Sequence, residues 1–351
     1  MNTPVKFFDG HNDTLLRLSM YEQSDPERSF LDGRPDGHID LPRAKRGGML
    51  GGLFALYAPS KTGLSFDHFH GASYDCPLPP EVSVPDAQEI ILKQTSILMR
   101  IVAASEGQVV VCRNVGEIRS AIAAGRFAIV LHLEGAEAID GDLHALYVLH
   151  AAGLRSLGPV WSRTTIFGYG VPMRFPSSPD TGPGLTPAGV ELVKTCNRLR
   201  ILVDLSHLTE QGFWDVARLS EAPLVATHSN AHEICQSSRN LTDRQLDAIR
   251  DSDGMVGLNL ATCFLRPDGQ MLADTDLDIV VRHVEQLIER LGETRVGLGS
   301  DFDGAVVPND IGSVAGAQAI FQALSARGFG SDLLRKFAIE NWIRVLQQTI
   351  G

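Results

Sequence analysis

Imidazoles and carboxylates stand at the ends of short apolar runs along this chain, and those residue types bind divalent cations. The first set is His11-Asn12-Asp13, entered through Phe7-Phe8-Asp9-Gly10. Residues i and i+2 of an extended backbone share a face, so this imidazole and this carboxylate can grip one ion. The second is Glu134, which closes Ile129-Val130-Leu131-His132-Leu133. A carboxylate there is expensive to bury unless it is paired or bound to metal. A salt bridge to an arginine is the structural alternative. Its two oxygens can bridge two cations, which a single imidazole cannot do. His132 shares the face of Glu134 and is expected as a hydrogen-bonded residue behind the site. His207 closes Val203-Asp204-Leu205-Ser206, and His228 closes Val225-Ala226-Thr227. Two imidazoles at successive strand ends suit a zinc-like ion.

Asp301 follows Gly297-Leu298-Gly299-Ser300. A carboxylate beside a metal pair can take a proton from activated water and pass it to a leaving group. Asp303 is its rival by composition. Asp301 lies nearer the strand end, and Asp303-Gly304 is expected to shape the turn. The chemistry implied is two-metal hydrolysis of an amide, in which the cations acidify a bridging water and polarise the carbonyl. It needs no serine or cysteine nucleophile, and the chain carries no GxSxG elbow and no P-loop.

Positioning these groups calls for elements that converge. Eight β-rich runs are expected at 5–8, 52–57, 127–133, 154–160, 201–205, 224–227, 255–260 and 296–299. Helical spacing of apolar residues appears at 86–104, 115–124, 142–152, 186–198, 209–219, 242–252 and 276–291. Thr186 before Pro187 and Thr242 before Asp243 read as helix starts. Strands alternating with helices predict a parallel sheet, and eight units predict a closed (β/α)8 TIM-type barrel over residues 1–351 as a single domain. A doubly wound open sheet competes. It explains less well why His11, Asp13, Glu134, His207, His228 and Asp301 all fall at strand C-termini, which in a barrel meet at one mouth. The long loops 58–85 and 168–184 both follow strands and are expected over that mouth.

Bulk properties narrow the class. The chain has 351 residues, 44% of them hydrophobic, and a formal net charge of −11. An acidic chain without a basic stripe is a poor partner for nucleic acid or anionic membrane. Its five cysteines, Cys76, Cys112, Cys196, Cys235 and Cys263, have no CxxC spacing and suit reduced thiols in a cytoplasmic protein. The N-terminus has no signal-peptide core, and no apolar run is long enough to span a bilayer. The C-terminal residues 342–351 read as an amphipathic helix without a lipid-anchor signal.

Taken together the motifs resemble the membrane (renal) dipeptidase family, metallopeptidases of the amidohydrolase superfamily. The resemblance runs through Asp9-Gly10-His11-Asn12-Asp13, Asp40-Leu41-Pro42-Arg43, Gly51-Gly52-Leu53-Phe54, His132-Leu133-Glu134-Gly135 and Val203-Asp204-Leu205-Ser206-His207. It continues through Thr227-His228-Ser229, Ser238-Arg239-Asn240-Leu241 and Gly299-Ser300-Asp301-Phe302-Asp303-Gly304. It implies two zinc ions: one held by His11 and Asp13, the other by His207 and His228, with Glu134 as the bridge. It implies Asp301 as the catalytic aspartate, Arg239 as the cation for the substrate's terminal carboxylate, and a homodimer. One departure stands out. Where the family places a histidine near the scissile carbonyl, just past the fourth strand, this chain has Trp161, followed by Ser162 and Arg163. Trp161 and Arg163 are therefore expected as substrate contacts. The function expected is a dipeptidase, with a C-terminal D-residue in view. A binuclear amidase or deacylase of N-acyl amino acids is the alternative, and a non-enzymatic metal or peptide binder the remote one.

Overall fold

The computed structural model describes residues 4–21, 24–62 and 66–351. Within it, eight parallel strands run in chain order: β1 (Phe7–Asn12), β2 (Met49–Tyr57), β3 (Phe127–Glu134), β4 (Leu154–Gly158), β5 (Leu202–Val203), β6 (Val225–Ala226), β7 (Met255–Leu258) and β8 (Val296–Leu298). Strands β1 to β5 pair in succession, as do β6 to β8. Single parallel bridges join the two sets, Asp204 to Val225 on one side and Asn12 to Phe302 on the other. The Leu205 amide donates to the Val225 carbonyl at 2.9 Å, and the Asp13 amide to that of Phe302 at 2.8 Å. The sheet therefore curls round on itself, as the TIM-type expectation requires, and the open doubly wound sheet is set aside.

Strand lengths differ from the sequence expectation for local reasons. β1 runs on through His11 because its far end has partners on both sides, Phe54 and Phe302. β5 and β6 keep two residues each, because the Asp204 carboxylate takes over from the backbone ladder. It accepts from the amides of Ser206 (3.1 Å) and Thr227 (2.8 Å). A further three-residue strand, Val109–Val111, pairs beside β3 outside the ring. Its run is too short to stand out from sequence periodicity.

Alternation along β3 sets the site. Ile129, Leu131 and Leu133 pack outward among the helices. Ala128 and Val130 pack inward, so His132 and Glu134 follow on the inner face. Trp342, on the helix Asn341–Thr349, fills the inner cluster from below. It is fully buried, and its indole nitrogen donates to the Leu298 carbonyl at 2.9 Å. Glycine is required where the backbone passes this ring: a Cβ at Gly297 would stand 2.8 Å from the indole nitrogen.

The expected helices are present with ends shifted by one or two residues. Three more, Thr14–Tyr21, Pro26–Leu31 and Leu41–Gly47, lie between β1 and β2. The two long loops meet each other: Tyr74–Asp75 pairs antiparallel with Arg174–Phe175. Residues 63–65 of the first loop lie outside the described residues, as do residues 1–3 of the N-terminus. All five cysteines are free and buried. Among the described residues no helix is long and apolar enough to cross a membrane.

Candidate metal centre

The five expected ligands and Asp301 meet at the mouth of the ring. His11 Nε2 lies 3.5 Å from Asp13 Oδ2, 3.7 Å from Glu134 Oε1 and 4.0 Å from Asp301 Oδ1. Glu134 Oε1 is in turn 3.0 Å from His207 Nε2 and 3.4 Å from His228 Nε2. Two overlapping donor groups result, His11–Glu134–His228 and His11–Asp13–Asp301.

Supporting hydroxyls fix which nitrogens face inward. Thr227 Oγ1 donates to Asp204 Oδ2 at 2.6 Å and lies 2.8 Å from His228 Nδ1. With its proton directed to Asp204, the hydroxyl accepts from His228 Nδ1–H, which leaves Nε2 with a lone pair toward Glu134. Ser162 Oγ sits 2.9 Å from His207 Nδ1 and orients that ring. His207 Nε2 and His228 Nε2 then face each other at 3.0 Å. Both ring nitrogens of His11 are buried without a hydrogen-bond partner. Lone pairs aimed at one another and at a carboxylate need a cation among them, so this mixed nitrogen and oxygen donor set fits divalent metal.

Electrostatics give the same result. Burial lowers the His11 pKa, but the Glu134, Asp13 and Asp301 carboxylates outweigh it and bring it up to about 10. Burial, with the charges of Arg239 and His11 beside it, holds His207 and His228 well below the ordinary imidazole range. Both are thus neutral, the form that ligates. Burial also raises Glu134 and Asp301. Cationic charge at the centre offsets these penalties.

Three of the seven non-glycine residues that hold positive φ among the described residues lie here: His207, Asp301 and Asp303, at 70°, 59° and 69°, and histidine and aspartate are among the side chains that enter this left-handed region most readily. Gly304 has no Cβ because one would fall on Asp13 Oδ2. Asn259, beyond β7, donates to Asp301 Oδ2 at 2.9 Å. Sequence reading passed it over because an amide at a strand end carries no titratable signal. Asp303 faces away from the ligands. Its carboxylate accepts from Arg34 Nη2 (2.9 Å), Thr14 Oγ1 (3.0 Å) and the His38 amide (2.6 Å), shaping the turn. His132 sits behind His11, with Nδ1 2.8 Å from Ser156 Oγ.

A cavity of about 310 Å³ opens above the cluster. Asp13, Glu134, His207 and Asp301 line its polar side, and Tyr57, Trp161, Met173, Phe264 and Met271 its apolar side. Arg239 stands behind His228, 4% exposed, and like Arg163 is not among the residues that line the cavity. It donates to the His228 carbonyl (3.1 Å) and Ser229 Oγ (3.3 Å), and lies 5.6 Å from the Phe264 ring centre. Its Nε has no partner. Among the described residues no carboxylate pairs with it, which is an unfavourable condition for a buried cation.

Trp161 forms part of the apolar lining, against Tyr57 (5.1 Å between ring centres) and His207 (5.7 Å). Arg163 requires a correction: expected as a substrate contact, it is fully buried and does not line the cavity. All three guanidinium nitrogens are engaged, by Glu137 Oε1, Ala58 O and Ser60 Oγ.

Comparison with known proteins places the molecule. A model of the membrane dipeptidase family, peptidase family M19, matches residues 1–350. A metallo peptidase from Rhodobacter sphaeroides, liganded with a phosphinate mimic of the dipeptide L-Ala-D-Ala, is 52% identical with a TM-score of 0.96, covering 99% of this chain and all of that one. The metallo peptidase dipeptidase AC is 51% identical with a TM-score of 0.96, at the same coverage. An uncharacterised protein in the pqqA 5' region of Klebsiella pneumoniae is 47% identical over 266 residues, 76% of this chain and 98% of its own length.

Proposed function

Because this chain belongs to the membrane dipeptidase family, and is thus a metallohydrolase, we propose that it is a two-zinc dipeptidase. His11 and Asp13 would hold one ion, His207 and His228 the other, with Glu134 between them. When bound, the cations supply Lewis acidity, acidifying water and polarising the scissile carbonyl. Asp301 accepts the proton released and returns it to the departing amine. Asn259 restrains Oδ2 of Asp301, while Oδ1 remains on the His11 side. Arg239 takes the substrate's terminal carboxylate, the counter-ion its pocket lacks. Tyr57 and Trp161 close the apolar side against water.

The observation that carries this reading is the unpaired buried Arg239 beside a six-residue donor cluster. It supports a small anionic amide over a protein substrate. The L-Ala-D-Ala mimic bound by the Rhodobacter sphaeroides relative supports a D-residue on the C-terminal side. Steady-state assays of zinc-loaded protein on a library of L,L- and L,D-dipeptides test it. No turnover with both metals bound would sink it. Trp161 favours a second reading, a deacylase of N-acyl amino acids. Faster hydrolysis of N-acyl-D-amino acids than of any dipeptide would establish that instead.

The same proposal treats residues 1–351 as one barrel domain acting as a homodimer in the cytoplasm. The buried free cysteines support a reducing compartment. Light scattering of the purified protein checks the dimer.

A further inference from the structure

Arg163 is excluded from the cavity, yet it touches two of the segments that line it, Tyr57–Ser60 and Trp161. Its Nη2 donates to Glu137 Oε1 at 2.6 Å and to the Ala58 carbonyl at 2.8 Å, its Nε to Glu137 Oε1 at 3.0 Å, and its Nη1 to Ser60 Oγ at 2.7 Å. Glu137 follows β3, Ala58 and Ser60 follow β2, and Arg163 itself follows β4. One guanidinium therefore ties together the exits of three adjacent strands. Its charged plane also sits 5.6 Å from the Trp161 ring and 5.7 Å from the Tyr57 ring. Tyr57, Pro59, Ser60 and Trp161 all line the cavity. Ser162, between Trp161 and Arg163, orients His207.

We propose that the buried Arg163–Glu137 pair is a positioning device that sets the width of the cavity between Trp161 and the residues after β2, and so determines which substrate side chains fit. This rests on the dipeptidase reading for its substrates but not for its geometry. A buried ion pair is seldom retained for stability alone, since an apolar pair of similar size is often as good or better. A pair whose bonds cross three loops holds them at a fixed separation, and long loops over a barrel mouth need such a constraint. Removing the charge on one side loosens the loops while leaving the metal donors and Arg239 in place.

The test uses Glu137→Gln, which keeps shape and loses charge, with Arg163→Lys as the second variant should the first fail to fold. Metal content is measured for each. Values of kcat and KM are then compared over Xaa-D-Ala dipeptides with Xaa from Gly to Trp. In parallel, acrylamide quenching of Trp161 is read as the difference between each protein and its Trp161→Phe counterpart. The expected result is full metal content, kcat/KM for the Gly substrate within about threefold of the parent, and a change of tenfold or more at the bulky end, expressed in KM. Trp161 becomes more accessible to the quencher. An equal loss for every Xaa, or an unchanged profile with unchanged quenching, overturns the proposal. If the parent cleaves none of the series, the dipeptidase reading fails. Quenching alone then decides the device: increased access supports it and unchanged access refutes it.

Discussion

Arg239→Met is the most informative single change, because two opposite effects are expected from one residue. The guanidinium is buried, has no carboxylate partner among the described residues and leaves Nε unbonded. Without substrate, this is a buried charge whose desolvation is offset by the His228 carbonyl, the Ser229 hydroxyl, the Phe264 ring and the more distant Asp301, Asp204 and Glu134. An isosteric apolar side chain removes that penalty, and such replacements are often neutral or stabilising by about 1–4 kcal/mol. In the proposed substrate complex the same group would form two charge-assisted hydrogen bonds to a carboxylate, each worth about 1.5–3 kcal/mol. Losing both costs roughly 3–6 kcal/mol, a fall of roughly 10²–10⁴ in kcat/KM at about 1.4 kcal/mol per tenfold. The assay is a cycle of parent and variant against a dipeptide and its C-terminal amide. The parent should prefer the free acid by that factor, the variant should show almost no preference, and its melting temperature should stay level or rise. If the parent cleaves acid and amide alike, or the variant loses both equally, Arg239 does not bind the carboxylate.

Other perturbations separate the remaining roles. Asp301→Asn keeps the shape beside Asn259 and should lower kcat by about 10²–10⁴, with metal content by mass spectrometry unchanged. Gly304→Ala places a methyl on Asp13 Oδ2, so zinc affinity in a competition titration should fall while the far-ultraviolet spectrum stays the same. In the metal-free protein the His11 pKa is raised to about 10, so its protonated form stabilises the fold fully below about 6.5, the unfolded value, and that contribution fades as pH climbs to 10. Urea midpoints of metal-free protein should therefore drop between pH 7 and 10 by more than those of metal-free His11→Gln. Trp342→Ala empties the bottom of the ring and should destabilise by about 3–5 kcal/mol, read as a lower urea midpoint with an unchanged KM.

Much of the clustering was legible in the sequence because the candidate ligands obey local rules. His11 and Asp13 sit two apart on a strand, and Glu134 continues the inward register of Ala128 and Val130. His207 and His228 end successive strands. A period of two plus an apolar run is enough to aim such residues. The helices between β1 and β2 left weaker traces, a capping aspartate before a proline at Asp25-Pro26 and another at Asp40. Asn259 and Ser162 left none, since their work depends on partners 42 and 45 residues away.

Arg163 shows where local inference stops. Two residues beyond Trp161, a position expected to face substrate, it invites a role at the carbonyl. The neighbour that decides its role, Glu137, lies 26 positions earlier. Glu137 stands just beyond Glu134, and that spacing separates two carboxylates with opposite fates. Glu134 points into the ring, where it lies among three imidazoles. Glu137 lies past the strand end, where the loops cross, and its charge is held by the one guanidinium those loops share. At the end of β3 register thus sorts neighbouring acids: Glu134, still in the alternation, joins the donor cluster, and Glu137, beyond it, ties the loops. The two acids past β8 part without strand register, since both lie beyond Leu298 on left-handed backbone. Asp301 joins the cluster, while Asp303, two residues on, binds Arg34, Thr14 and the amide of His38. Two of the strand ends at this mouth therefore carry one carboxylate in the donor cluster and one bonded to the loop above it. Exchanging the charge of the second should alter selectivity or loop order before it alters metal binding.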